Sequence, residues 1–271
     1  MAIKAFNGIA AASVKTINGI SAANVKTWNG ITAGLGFSVL AADFDGTNDY
    51  MLRGADLTGN AAGKSGLMSV WARLDGGDGA EQIIWQSGTE QVRIVRTSGN
   101  VFQILGRSSA GVARLEMTST TSYTAGATWR HILASWDLAN TTGWLYINDT
   151  NDLAGGGTYS NNNIDYNQSN HAVGARTAAD RKLNGCMAEL YVNYATYLDL
   201  SVEANRRKFI SATGKPVDLG ATGATPTGSQ PIVYQSIRAG GAAVDFDNNR
   251  GSGGDFTITG TLDLASSSPS D

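Results

Sequence analysis

The sequence predicts an all-β protein: a jelly-roll sandwich preceded by a β-repeat arm, with one short helix and an extended C-terminal segment. Three observations predict it. Short apolar runs recur along the middle of the chain, Gly, Asn, Asp or Ser separates nearly every pair of them, and one eleven-residue unit is written three times near the start. Composition agrees, because 34 of the 271 residues are Gly and only 16% are charged while 42% are hydrophobic, enough apolar material for a core joined by many turns.

The elements follow in order. Residues 4–31 read KAFNGIAAASVKTINGISAANVKTWNGI. Asn7–Gly8–Ile9, Asn18–Gly19–Ile20 and Asn29–Gly30–Ile31 recur at a spacing of eleven, as do Lys4, Lys15 and Lys26. Asn-Gly suits a type I′ turn, whose two central residues need positive φ and whose twist matches the flanking strands. Each unit therefore predicts a short strand, a tight turn and a second short strand, with Val, Ile or Trp28 on one face. One such unit cannot cover its own apolar face. Residues 1–35 are thus either a local β-meander capping the main domain or an arm for assembly and docking, and the triplication favours the arm.

Residues 36–213 carry the sandwich. Its strand-like runs are 66–74, 82–87, 91–97, 101–108, 113–119, 129–138, 143–149, 171–176 and 186–194. Trp71, Trp85, Trp129, Trp136 and Trp144 fall within these runs and are expected in the core. One helix is expected over 201–213. Ser201 can cap it, Glu203 suits its positive end, Arg206, Arg207 and Lys208 suit its negative end, and Gly214 with Pro216 stops it. It is expected to plug one end of the sandwich. Residues 214–271, rich in Gly, Ala, Ser and Thr, form an extended segment packing on the sandwich, with a short strand at 232–234, a final strand pair within 254–265 and a mobile SSSPSD end.

Charge and spacing exclude several function classes. A net charge of −3 without a basic run argues against nucleic acid. No run of about 18 apolar residues is present, which argues against membrane insertion. The N-terminus lacks the apolar core of a signal peptide, so synthesis in a cytoplasm without secretory export is expected. Cys186 is the single cysteine, so no intrachain disulfide can form, and it is expected to be a small buried hydrophobe.

Four segments taken together, DFDGTNDYM, LMSVWARL, WRHILASWDLANTTGWLYIND and LNGCMAELYVNYATYLDLS, resemble the LamG-type, concanavalin-A-like jelly roll over roughly residues 40–210. The tail EANRRKFISATGKPVDLGATGATPTGSQP and the VKTxNGI arm are similar to segments of tailed-bacteriophage and prophage structural proteins. That resemblance implies a virion protein of the fibre, spike or decoration type. It also implies a homo-oligomer, most often a trimer, that joins other virion proteins through the arm and turns its jelly roll outward to host cell-surface polysaccharide. A free carbohydrate-binding lectin is the alternative, and a glycan depolymerase a weaker one.

Catalysis is not expected. Glucanases of this fold alternate carboxylates on one strand, E-x-D-x-E, so that a nucleophile and an acid/base share a face. Here Glu189 is followed at the same-face positions by Tyr191 and Asn193. His131 and His171 lack partners at metal-ligand spacing, and His131 reads as a structural strand residue. No nucleophile elbow or phosphate loop is present. LamG-like modules often hold calcium at a rim. Asp43, Asp45, Asn48 and Asp49, with Asp149, Asn151 and Asp152, are the oxygen-rich clusters, yet such Asx clusters more commonly form turns. No cofactor is therefore expected, calcium through Asp43, Asp45 and Asp49 being the weak candidate. For a glycan the best stretch is 155–170, where Tyr159 and Tyr166 flank Asn161, Asn162, Asn163, Asp165, Asn167 and Gln168. It offers aromatic rings for the apolar face of a pyranose and amides for its hydroxyls, on a loop long enough to be functional.

Overall fold

Each eleven-residue repeat forms one antiparallel strand pair: β1 (Ala5–Phe6) with β2 (Ile9–Ala10), β3 (Thr16–Ile17) with β4 (Ile20–Ser21), and β5 (Thr27–Trp28) with β6 (Ile31–Thr32). Phe6 faces Ile9, Ile17 faces Ile20 and Trp28 faces Ile31, so two residues separate the partners in every pair. The computed structural model describes these strands and residues 37–271. Asn7, Gly8, Asn18, Gly19, Asn29 and Gly30, and the turn type assigned to them, lie outside the described residues. Two compact units result, Met1–Ser38 and Val39–Asp271.

The second unit is built from two eight-stranded antiparallel sheets. The strands come in chain order as β7 (Val39–Leu40), β8 (Ala42–Asp45), β9 (Tyr50–Arg53), β10 (Ser65–Leu74), β11 (Gln82–Ser87), β12 (Val92–Arg96), β13 (Phe102–Arg107) and β14 (Ala113–Thr118). They continue with β15 (Arg130–Asp137), β16 (Thr142–Ile147), β17 (Thr150–Asn151), β18 (Thr158–Tyr159), β19 (His171–Val173) and β20 (Asn184–Asn193). The last four are β21 (Val233–Gln235), β22 (Ile237–Arg238), β23 (Thr257–Thr259) and β24 (Asp263–Leu264). The first sheet runs β17-β16-β15-β10-β20-β8-β24, with β21 also on β20; the second runs β18-β14-β13-β12-β11-β19-β9-β23. β22 pairs separately with β7.

The apolar runs dictate this layering. In β12 to β14, inward residues such as Val92, Ile94, Ile104, Leu115 and Met117 alternate with Arg93, Gln103 and Glu116, as in a sheet with one wet face. β10, β15 and β20 are apolar on successive residues because they are buried on both faces. Met68, Val70 and Trp136 enter the core between the sheets. Leu67, Leu133, Tyr146 and Tyr191 face a second core closed by Leu200, Phe209, Leu219 and Tyr234 from the chain after β20.

Four expectations need correcting. The helix is one turn, α1 (Glu203–Arg206), rather than 201–213. Its N-cap is Val202, while the Ser201 hydroxyl donates to Asp199. Phe209 is drawn into the second core and Ile210 is buried beside it in sequence, while Arg206 and Arg207 both pair with Asp149. The final strand pair is no pair, since β23 joins β9 in one sheet and β24 joins β8 in the other. The SSSPSD end is anchored: Ser268 and Pro269 are buried, and Ser270 Oγ accepts the Val39 N–H at 3.0 Å. Of the tryptophans, Trp71, Trp85 and Trp136 are core residues, whereas Trp129 and Trp144 are only half-buried.

Aromatic hydrogen bonds join the layers. Trp85 Nε1 donates to Tyr194 Oη at 3.1 Å, Tyr194 stacks on Tyr166 with centroids 4.0 Å apart, and Trp136 Nε1 donates to Tyr166 Oη at 2.9 Å. Gly66 lies flat under the Trp136 ring, and a Cβ there would overlap it. Gly66→Ala is therefore expected to destabilise the fold by roughly 1–3 kcal/mol through overpacking. Urea unfolding checks this, and an unchanged midpoint would contradict the packing described.

Candidate functional site

The loop from β18 to β19 passes over the end of the second sheet, and its polar residues meet side chains from elsewhere in the chain. Gly63 and Ile164 form an antiparallel bridge that pins it, and Ile164 packs against Gly106 of β13. A cleft of about 440 Å³ opens beside this bridge, lined by Lys64, Ser108, Ser109, Arg114, Asn162, Asn163 and Asp165. Lys64 Nζ donates to Asn161 Oδ1 at 2.8 Å, and Asn162 Nδ2 donates to Ser160 Oγ at 3.2 Å. The Arg114 guanidinium donates to the same Ser160 hydroxyl through Nη1 at 3.4 Å, and its Nε has no partner among the described residues. Asp165 Oδ1 accepts the Asn167 N–H. The cleft thus presents amide donors and acceptors, two cations and one carboxylate, a set able to hydrogen-bond several hydroxyl groups at once.

Asn162, Asn163 and Asp165 line the cleft, Asn161 meets it through Lys64, and Asn167 touches it only through its backbone N–H on Asp165, but the two tyrosines are not a platform. Tyr166 is fully buried: it stacks on Tyr194, and its hydroxyl donates to the Ser65 carbonyl while accepting from Trp136. Tyr159 is half-buried, with its ring against Gly143 and Gly157 and its hydroxyl in the interior. Burial raises the pKa of that phenol. Lys64, Ser108, Ser109 and Arg114 were absent from the sequence-based set, because they reach the cleft only through the pairing of β14 with β18 and the 63–164 bridge.

The oxygen-rich clusters are engaged within the protein. Asp45 Oδ1 accepts the N–H groups of Thr47, Asn48 and Asp49, which lowers its pKa against the opposing effect of burial. Asp49 accepts from Asp45 N and Thr261 N with its two oxygens. Asp152 binds Thr121 and Tyr123, Asn151 accepts the Leu153 N–H, and Asp149 lies between Arg206 and Arg207. These oxygens serve turns and ion pairs of the fold, as Asx clusters commonly do. Asp43, Asp75 and Cys186 approach one another, but Arg73 already fills the space with bonds to Asp75 and the Cys186 sulfur. Burial pushes the Cys186 thiol up, so it stays protonated, and its single S–H can donate to either Asp43 or Asp75. This buried cysteine is therefore a polar strut as well as a small core residue.

Glu189 sits at a bulge. The register of β10 on β20 shifts between Ser69 and Trp71, and Glu189 takes φ +50°. Only 2% exposed, it accepts a 2.8 Å bond from the Tyr234 hydroxyl through Oε2, while Oε1 has no hydrogen-bond partner among the described residues. Burial raises its pKa to about 7. The histidines are equally internal. Burial lowers His131 to about 3, with Nε2 2.8 Å from Ser69 Oγ, and lowers His171 to about 4, with Nε2 donating to the Gln168 carbonyl.

Residues 45–196 match the family model described as the concanavalin A-like lectin/glucanases superfamily. The chain belongs to that superfamily. Among solved structures, the fold is shared with a candidate carbohydrate-binding protein from Bacteroides ovatus at a TM-score of 0.60 and 13% identity, over 87% of this chain and 61% of the other. The chain therefore spans about three fifths of that relative's length. A heptameric SAP-like pentraxin from Limulus polyphemus aligns at a TM-score of 0.42 and 12% identity, over 60% of this chain and 78% of the other. At these identities the likeness concerns the fold alone. No curated protein matches the sequence.

The buried Glu189 makes a pH prediction. Its carboxyl is neutral in the folded state well above the ordinary value of 4.5, so this group's contribution is whole below about pH 4.5 and falls as pH rises through about 7. Glu189→Gln should remove that fall. Relative to wild type, the variant should gain on the order of 3 kcal/mol between pH 4.5 and pH 8. Urea titrations of both proteins at the two pH values check it; a pH-independent difference would count against a buried neutral acid.

Proposed function

We propose that this chain is a non-catalytic, lectin-like glycan-binding protein, with the cleft beneath the β18–β19 loop as a saccharide site. The observation that carries this reading is the lining. Amides from Asn162 and Asn163, the Arg114 guanidinium, the Lys64 ammonium and the Ser108 and Ser109 hydroxyls converge on one cleft, held by strands of a rigid sandwich. Such a set matches the dense hydroxyl pattern of an oligosaccharide. The fold shared with a candidate carbohydrate-binding protein supports it. A non-catalytic role is supported by the placement of Glu189, whose carboxyl is enclosed beneath Tyr234 where no substrate reaches it.

The three strand pairs ahead of the sandwich serve self-association in this reading. Two-residue strands cannot hold a sheet alone, and their unpaired edges can be extended by the same strands of sister chains. A trimeric virion fibre, spike or decoration protein, which binds host cell-surface polysaccharide and joins other virion proteins through the arm, is the setting we favour. It rests on the resemblance of the arm and of the 203–231 segment to phage structural proteins.

Two measurements test these parts separately. Arg114→Ala and Asn163→Ala should each weaken binding to a polysaccharide ligand at least tenfold by isothermal titration, without altering the unfolding midpoint. Unchanged affinity in both would remove the glycan site from this cleft. Light scattering should give an oligomer for the full chain and a monomer for residues 36–271, and a monomeric full chain would end the assembly role.

A further inference from the structure

Sugar recognition commonly joins an aromatic surface to a ring of polar groups, and the cleft beneath the β18–β19 loop has only the polar half. The aromatic half lies elsewhere. A second cleft of about 560 Å³ is lined by Trp71, Thr128, Trp129, Asn148, Lys215 and Ser267, among others. Trp129 is half-buried and fixed in orientation, its Nε1 donating to Ser267 Oγ at 3.2 Å and the Arg73 guanidinium lying 5.7 Å from its centroid. Trp71 backs the cleft, only 3% exposed and stacked on His131 at 4.7 Å.

Three hydrogen-bond donors around this indole are unused among the described residues. Ser267 Oγ accepts from both Arg73 Nη1 at 2.6 Å and Trp129 Nε1. Those two bonds engage its lone pairs, so the hydroxyl proton is free to point outward, and the cationic donor behind it strengthens the bond it can give. Asn148 Oδ1 accepts the backbone His131 N–H at 2.7 Å, which fixes the amide and leaves its Nδ2 without a partner among the described residues. Lys215 Nζ makes no hydrogen bond or ion pair among the described residues. The nearest carboxylate in the lining, Asp271, is engaged by Ser268 through both oxygens.

We propose that the Trp129 cleft is a second saccharide site, binding a pyranose ring against the indole with its ring and hydroxyl oxygens accepting from Ser267, Asn148 and Lys215. This rests on the glycan-binding reading above. The tail closes one side of the cleft through Ser267, Ser268 and Asp271, so the site exists only when the C-terminal residues are docked.

The test is binding of the full chain to laminarin, dextran, galactomannan and alginate, measured for wild type, Trp129→Ala, Lys215→Ala and Arg114→Ala. Near-ultraviolet circular dichroism monitors the fold, and Lys215→Ala removes no hydrogen bond or ion pair among the described residues. The expected result is a loss of at least tenfold in affinity for one of these polysaccharides in both Trp129→Ala and Lys215→Ala, with Arg114→Ala retaining part of the binding. If wild type and both cleft variants bind alike while Arg114→Ala does not bind, the second site is refuted and the glycan-binding reading stands. If wild type binds none of the four, both fall.

Discussion

A short relay of aromatic side chains holds the two sheets in register. Trp85 belongs to the second sheet and Trp136 to the first, and between them Tyr194 and Tyr166 lie nearly parallel, 6° apart, with each hydroxyl taking an indole N–H. Each such bond contributes about 1 kcal/mol net, but an indole or phenol left unsatisfied in the interior would cost more than that. The pieces are therefore mutually obligatory. With Ile164 and Tyr166 both drawn inward, Asn162, Asn163 and Asp165 are turned outward and meet Lys64 and Arg114 at the rim. The polar cleft is a by-product of an apolar constraint.

The second governing constraint is that the first sheet has no wet face over its centre. Tyr191, Leu67 and Leu133 would lie in water were the chain to end at β20, and the segment through Leu200, Phe209 and Leu219 covers them. Covering a sheet with irregular chain forces polar groups inside. Glu189 and Tyr234 are enclosed together as a result. A neutral acid donating or accepting through a short contact is tolerable there, whereas an ionised carboxylate with an unpartnered oxygen is not.

Most of the architecture was legible because turn residues punctuate it: the long runs over 66–74, 82–87 and 129–138 became β10, β11 and β15 nearly residue for residue. The matched family model at 45–196 lies within the segment that resembles the LamG jelly roll. What was not legible concerns who covers whom. Nothing local distinguishes Tyr166, which is sealed, from Trp129, which lines a cleft; the difference is set by Tyr194 and Ser267, distant in sequence from each. The helical pattern of 201–213 was real in charge order but lost to the burial of Phe209 and Ile210, since tertiary packing outweighs a propensity of a few tenths of a kcal/mol per residue. Lys64 and Arg114 carry no motif, and only strand pairing brings them to the site.

The separation of β23 from β24 sets the timing of folding. β9 and β8, the strands they complete, lie near the start of the sandwich, so more than 200 residues must be synthesised before either sheet acquires its last strand. Such long-range closure is entropically slow. On the ribosome, the edges of β8 and β9 stay open until the last strands emerge, and the nascent chain offers two unpaired borders to whatever strand is nearby.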